Sequence, residues 1–361
     1  MNARLPSFRA MALTMATTGA FLTGAFLLAG CPGNGADVPK VMIAPDVHVI
    51  DPGTTVQFTA VTAFDPATAR DWLWTFGDEA TSTEAAPAHV YTEPGVYTVS
   101  VRVNDALGEN TVTEPNLIVV RRPEETPGEV GEVRTFAGID FVWIPAGEFV
   151  MGSDDPGYAT TYTEPLRTVR ISRGFWMSKF EITQGQWRAT MGINPAYFPE
   201  PTGNRPVEQV SWQQTQAYIA LLNATDEGTF RLPTEAEWEY ACRAGTATEF
   251  YFGDDIAQSL TYAWTWENAR FLTRLSGLLQ PNAWGLHDMS GNVWEWCSDY
   301  YDPDFYSEMR DEDPFGPMWS AYRVARGGSW YNAAHEARSA NRFGFVPNST
   351  YNTIGFRICR N

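Results

Sequence analysis

Twelve of the 14 tryptophans fall after residue 140, and no other feature narrows the fold of that stretch so far. An indole needs a large buried contact area and an acceptor for its N–H. A segment so supplied with indoles must build a dense core with polar groups distributed through it. The first 120 residues read differently, as a leader followed by short alternating strands. With 361 residues, two folded units and a leader are expected. The net charge of -18 argues against a nucleic-acid partner, which would need clustered Lys and Arg for phosphate neutralisation.

Residues 1–30 carry Arg4 and Arg9, then an apolar and small-residue run from Met11 to Gly30, the layout of an export signal. The run ends in Leu28-Ala29-Gly30-Cys31, which resembles a bacterial lipobox. The resemblance implies cleavage, lipidation of Cys31 and a short tether over 31–39. An ordinary signal peptide or a membrane-spanning anchor is the alternative. Pro32 stands where an inner-membrane retention signal has Asp, so the expected location is the cell envelope, at the outer membrane. Two or three acyl chains hold a protein on a bilayer far more firmly than one. No other segment is apolar for long enough to span.

From 40 to 121, period-two segments such as Thr55–Val61 and Gly95–Val103 alternate with turn signals, as in an all-β sandwich. Trp74-Thr75-Phe76-Gly77-Asp78, Pro87-Ala88-His89-Val90-Tyr91 and Pro94-Gly95-Val96-Tyr97 follow in order. This set resembles the PKD family of immunoglobulin-like sandwiches, which implies a non-catalytic extracellular spacer or adhesion module. His89 is expected to be a packed residue and not a ligand. Residues 122–137 are rich in Pro, Gly and Glu and read as a semi-stiff, exposed linker.

Over 138–361 the chain carries Ile144-Pro145-Ala146-Gly147-Glu148-Phe149, then Arg231-Leu232-Pro233-Thr234-Glu235-Ala236-Glu237-Trp238-Glu239-Tyr240. Gly291-Asn292-Val293-Trp294-Glu295-Trp296, Arg326-Gly327-Gly328-Ser329-Trp330 and Gly355-Phe356-Arg357 follow. Thr234 with Glu237 makes a capping box at a helix start, and Thr183 is a second candidate N-cap. Together these motifs resemble the formylglycine-generating enzyme, or sulfatase-modifying-factor, family. The resemblance implies a C-type-lectin-like mixed α/β fold with much irregular loop and a twisted antiparallel sheet.

The family's founding activity uses O₂ and a copper ion held by two thiolates after the Gly-Gly-Ser-aromatic stretch. Those positions fall here on Asn332 and Ala337, and a carboxamide and a methyl group are not ligands for soft Cu(I). Copper chemistry is therefore not expected. By the same resemblance, Ser329 matches the active-site serine and Trp296 the aromatic wall of the cleft. Ser290, Gly291, Val293 and Glu295 match a structural calcium site of carbonyls and one carboxylate. Cys242 and Cys359 resemble a family disulfide, although Cys359 sits one residue late, which in a strand turns the side chain to the other face. His335 and Arg338 complete a candidate cleft with Trp296, Ser329 and Asn332. The expected role is a ligand-binding or scaffold module facing a cell-surface protein or carbohydrate. The alternative is an oxidoreductase with altered, non-copper-thiolate chemistry.

Overall fold

The structure is a computed structural model, and it describes residues 41–361 apart from 46, 63–68, 70, 106–107, 123–127, 155–164, 226 and 308. The leader, Cys31 and the tether lie outside the described residues. Among the described residues no helix is long and apolar enough to cross a membrane.

The first domain is a sandwich of two sheets. One has the order β1 (Val41–Pro45), β3 (Thr55–Thr62), β6 (Ala88–Val90). The other runs β2 (Val49–Ile50), β8 (Gly108–Val120), β7 (Gly95–Asp105), β4 (Asp71–Thr75), β5 (Thr81–Ser82). Alternation along β3 places Val56, Phe58 and Ala60 inward against Trp74, Phe76 and Val101. Tyr91 is fully buried and donates its hydroxyl to the carbonyl of Phe76 at 3.0 Å. His89 stacks on Phe76 at 4.1 Å and bonds Asp78 at 2.7 Å, a packed residue as expected. The sequence reading names no strand after Gly95–Val103, and β8, which follows it, is the longest strand of the sandwich.

The second domain begins inside the expected linker. Residues Val133–Phe136 form β9 and pair with β10 (Ile139–Ile144), and the N–H of Gly131 reaches the carbonyl of Trp143. The described part of the linker is therefore paired into the second domain, although Glu129, Val130, Val133 and Thr135 remain exposed. Next come β11 (Gly147–Met151), β12 (Arg167–Ile171), β13 (Phe175–Ser178), α1 (Gln184–Met191) and α2 (Trp212–Asn223). The chain continues with β14 (Phe230–Arg231), α3 (Glu235–Arg243), β15 (Trp294–Tyr300) and β16 (Arg323–Arg326). It closes with β17 (Arg342–Phe345), β18 (Ile354–Gly355) and β19 (Cys359–Arg360). Instead of one antiparallel sheet there are three: β14-β19-β13-β10-β9, β17-β16-β15-β18 and the hairpin β11-β12, with β15 and β18 parallel. Thr183, Ser211 and Thr234 each close a capping box at the start of α1, α2 and α3, satisfying N–H groups that a helix start leaves open.

All nine residues of α3 are buried, including three glutamates and an arginine. Each glutamate has its own guanidinium: Glu237 grips Arg231 at 2.6 Å twice, Glu235 grips Arg342 at 2.7 and 2.8 Å, and Glu239 holds Arg243 at 2.8 Å and also Arg326. A fourth pair, Glu295 with Arg357, lies beside Trp238, whose indole N–H donates to Glu295 at 2.6 Å. Paired, hydrogen-bonded charge is the tolerable form of buried charge. The four pairs join the Arg-Leu-Pro, Glu-Trp, Arg-Gly-Gly-Ser and Gly-Phe-Arg motifs into one lattice.

The two domains meet through a polar joint. Arg323 lies between the rings of Trp212 and Tyr300, at 4.0 and 3.4 Å, and reaches Glu114 of β8 at 3.4 Å. His48 is enclosed there, with its Nδ1 2.9 Å from the carbonyl of Leu117 and its ring 4.0 Å from Phe315. Burial, with Arg310 and Arg323 adding to it, lowers its pKa to about 4. An unfolded histidine protonates near 6.5, so between about 6.5 and 4 the unfolded chain binds a proton that the folded joint refuses. This term therefore removes stability as the pH falls through that window. Asp299, raised to about 6 by burial and by Glu235, opposes it by keeping a proton in the folded state. The difference between wild type and His48→Gln isolates the histidine: the variant should lose less stability than wild type between pH 7 and 5. Equal urea midpoint shifts in the two proteins would refute this.

Candidate active-site face

Gly327 and Gly328 have φ of 94° and 73°, a left-handed pair that turns the chain from β16 toward the rim. A Cβ on Gly328 would lie 3.0 Å from the carbonyl of Glu336, so the turn also needs the missing side chain. This places Ser329, fully buried, with its hydroxyl donating to Asn332 Oδ1 at 2.6 Å. The same oxygen accepts the indole N–H of Trp294 at 2.9 Å. The carboxamide oxygen is thus taken twice, and Ser329 faces a neutral acceptor that cannot remove its proton. Ala337 is buried, its methyl beneath the glycine turn.

Several expected site residues have other positions. Trp296 is not a cleft wall: it is fully buried and its N–H bonds the carbonyl of Val210 at 3.0 Å. Trp294, two residues earlier on the same face of β15, is the indole that meets Asn332. The strand's rise carries the second ring about 7 Å deeper into the core. Arg338 is buried, and it holds Glu249 at 3.0 Å and the carbonyl of His335 at 3.0 Å, so it is a strut and not an open cationic group. His335 is exposed on the turn Ala334–Ala337, near Glu267, whose carboxyl is depressed against the effect of burial mainly by hydrogen bonds from Thr265 and from backbone N–H groups. His287 lies elsewhere, bonded to the carbonyl of Leu279 at 2.9 Å.

The expected disulfide is absent: Cys242, Cys297 and Cys359 are free thiols, all buried. The Cys242 thiol faces Met289 and Ser339 near the end of α3. The charges nearest Cys359 are Arg231 and Glu237, at the helix start. Glu237 and Cys242 are about 7.5 Å apart along the axis, which leaves the two sulfurs at opposite ends. Burial pushes the Cys242 thiol up to about 12 and raises Cys297 and Cys359 as well, so none supplies a thiolate near neutral pH.

At the four expected calcium residues, both oxygens of Glu295 accept from Arg357, at 2.6 and 2.7 Å. The loop is pinned by protein groups: Gly291 N–H to Gly327, Asn292 N–H to Trp264, and the Ser290 hydroxyl to Ala337. Among the described residues no three His, Cys, Asp or Glu side chains converge as metal ligands.

What surrounds Asn332 is aromatic. Its carbonyl accepts the N–H of Trp266, and Trp266 touches Phe271 at 4.8 Å and Tyr331 at 5.6 Å. These three rings are 49%, 63% and 60% exposed. Arg270 and Phe271 have φ of 57° and 63°, costly backbone for residues with side chains, and it holds the phenyl ring out in solvent. The sequence reading missed Trp294, Trp266 and Phe271. Only the density of indoles between 264 and 296 hinted at them.

A PKD-type sandwich joined to a loop-rich α/β domain, with a Gly-Gly-Ser-Trp turn at its rim, defines the class: a modular member of a sulfatase-modifying fold. Residues 126–361 match the Sulfatase-modifying factor enzyme 1-like domain, and residues 37–120 match the PKD domain. The chain belongs to the sulfatase-modifying factor enzyme 1-like family. It is 30% identical over 300 residues to the formylglycine-generating enzyme of Streptomyces coelicolor, covering 65% of this chain and 92% of that one. It is 37% identical over 172 residues to the serine/threonine-protein kinase pkn1 of Chlamydia pneumoniae, across 47% of this chain but only 25% of the kinase. Among solved structures it resembles Treponema denticola variable protein 1, with TM-score 0.58 and 28% identity over 63% of this chain and 98% of that one. PvdO from Pseudomonas aeruginosa is similar at TM-score 0.58 and 27% identity, over 65% and 99% of the two chains.

Proposed function

We propose that this chain is an exported lipoprotein, anchored through Cys31, whose second domain binds a ligand on the Ser329–Asn332 face and does not oxidise cysteine. The carrying observation is the Asn332 carboxamide, closed by Ser329 and Trp294 where the family resemblance puts a copper thiolate. The second such position is the buried methyl of Ala337. Neither supplies a soft ligand, so the donor set does not fit copper. The exposed rings of Trp266, Phe271 and Tyr331 around that carboxamide support binding, since aromatic groups held in solvent by a strained loop serve contact. A carbohydrate or the surface of another protein suits such rings.

The test uses chain extracted from membranes with detergent and incubated with Cu(I). Less than stoichiometric copper and no O₂ uptake on a cysteine-containing peptide are expected. Stoichiometric copper or iron with turnover would establish the divergent oxidoreductase instead. Recovery of the chain in the soluble fraction would remove the anchor.

A further inference from the structure

We infer that a recess between the end of the sandwich and the β12–β13 turn is a second ligand site, for a small organic acid bearing a carboxylate or sulfate on a six-membered ring. It shares no residue with the Ser329–Asn332 face. The recess has a volume of about 350 Å³, at the lower end of ligand pockets and suited to one ring-sized molecule.

Its lining is unusual for so acidic a chain. Arg121, Arg122, Arg173 and Arg360 all face it, and among the described residues no Asp or Glu does, although the chain as a whole carries a net charge of -18. Arg173 is committed to Asp51 at 2.5 Å, and Arg360 to the carbonyl of Glu227 at 2.7 Å. Arg121 is not. Half-buried, it makes no side-chain hydrogen bond or ion pair among the described residues. Burial lowers its pKa, and the positive charges of Arg231 and Arg173 push it the same way, so the carboxylates within reach do not offset its lost water. An oxyanion in the recess would supply the partner, with two N–H groups of one guanidinium matching two oxygens of one acid. Trp143 and Trp176, edge to face at 5.2 Å, form the apolar wall and select a ring over a bare ion. The segment after Arg122 contains Glu124 and Glu125 and lies outside the described residues.

The tryptophans provide the readout. Fluorescence is titrated with glucuronate, benzoate, glucose and inorganic sulfate on the full chain. Saturable quenching by glucuronate or benzoate is expected, with glucose silent and sulfate weaker. Glucuronate alone would name an acidic sugar, and benzoate alone an aromatic acid. Arg121→Gln should weaken binding about tenfold or more, the effect of losing a charged hydrogen bond. Ala146→Trp, at an exposed position on the rim, should block the recess without touching the core. No saturable quenching below about 10 mM, equal response to glucose, or full affinity in both variants would overturn the proposal. So would binding that appears only in the Glu124→Gln, Glu125→Gln double variant, since the chain's own acids would then be the occupant.

Discussion

Replacing Arg357 by alanine is expected to lower the unfolding free energy by about 3–5 kcal/mol, the cost of leaving a buried charge without its partner. Its guanidinium grips Glu295 at 2.6 and 2.7 Å and also reaches the carbonyls of Ser178 and His287 at 3.1 and 3.0 Å. One side chain therefore ties β13, β15 and the loop before Ser290. Burial is the largest single influence and would lower its pKa, but Glu295, joined by Glu181 and Asp288, raises it overall. Urea denaturation gives the value. Arg357→Met with Glu295→Leu should lose less than Arg357→Ala, because no orphaned carboxylate remains. A loss below about 1 kcal/mol in the single variant, the worth of a surface pair, would show that the lattice is not the structural centre of the domain.

The second large effect lies at the joint between domains. Burial is the largest influence on both members of the Glu114–Arg323 pair, raising the carboxyl and lowering the guanidinium, so this pair is bound against its desolvation. Such a pair specifies geometry more than it stabilises. Arg323→Ala should therefore cost about 3 kcal/mol or more, by stranding Glu114 beside Tyr300 and emptying the space between Trp212 and Tyr300. In calorimetry the sandwich is expected to melt separately, below the second domain. Glu114→Leu with Arg323→Met should restore most of the lost stability. A single unshifted transition in Arg323→Ala would mean that the joint contributes nothing to docking.

The capping box at Thr234, the N-cap at Thr183 and the alternating strands were legible in the sequence because each depends on neighbours within a few residues. The sandwich and the family fold were legible through motifs in order. The roles of those motif residues were not. Arg338 and Arg342 are equally polar on paper, yet each is a buried strut, since its carboxylate partner lies 89 or 107 residues away. Trp294 and Trp296 share a strand face and both are buried, and only the packing around them decides that one meets Asn332 and the other the carbonyl of Val210. The cysteines could be counted, but whether two of them meet depended on which end of α3 each approached.

By itself the sequence determined the order of the parts and the donor atoms available at Asn332 and Ala337, because a side chain's donor atoms travel with its identity. Tertiary structure alone decided that the Glu and Arg of the family motifs are spent on one another. It also decided that the linker pairs into the second domain's sheet, and that four arginines from three separate segments line one recess. Such pairings join residues far apart in the chain, and proximity of that kind exists only once the core has packed.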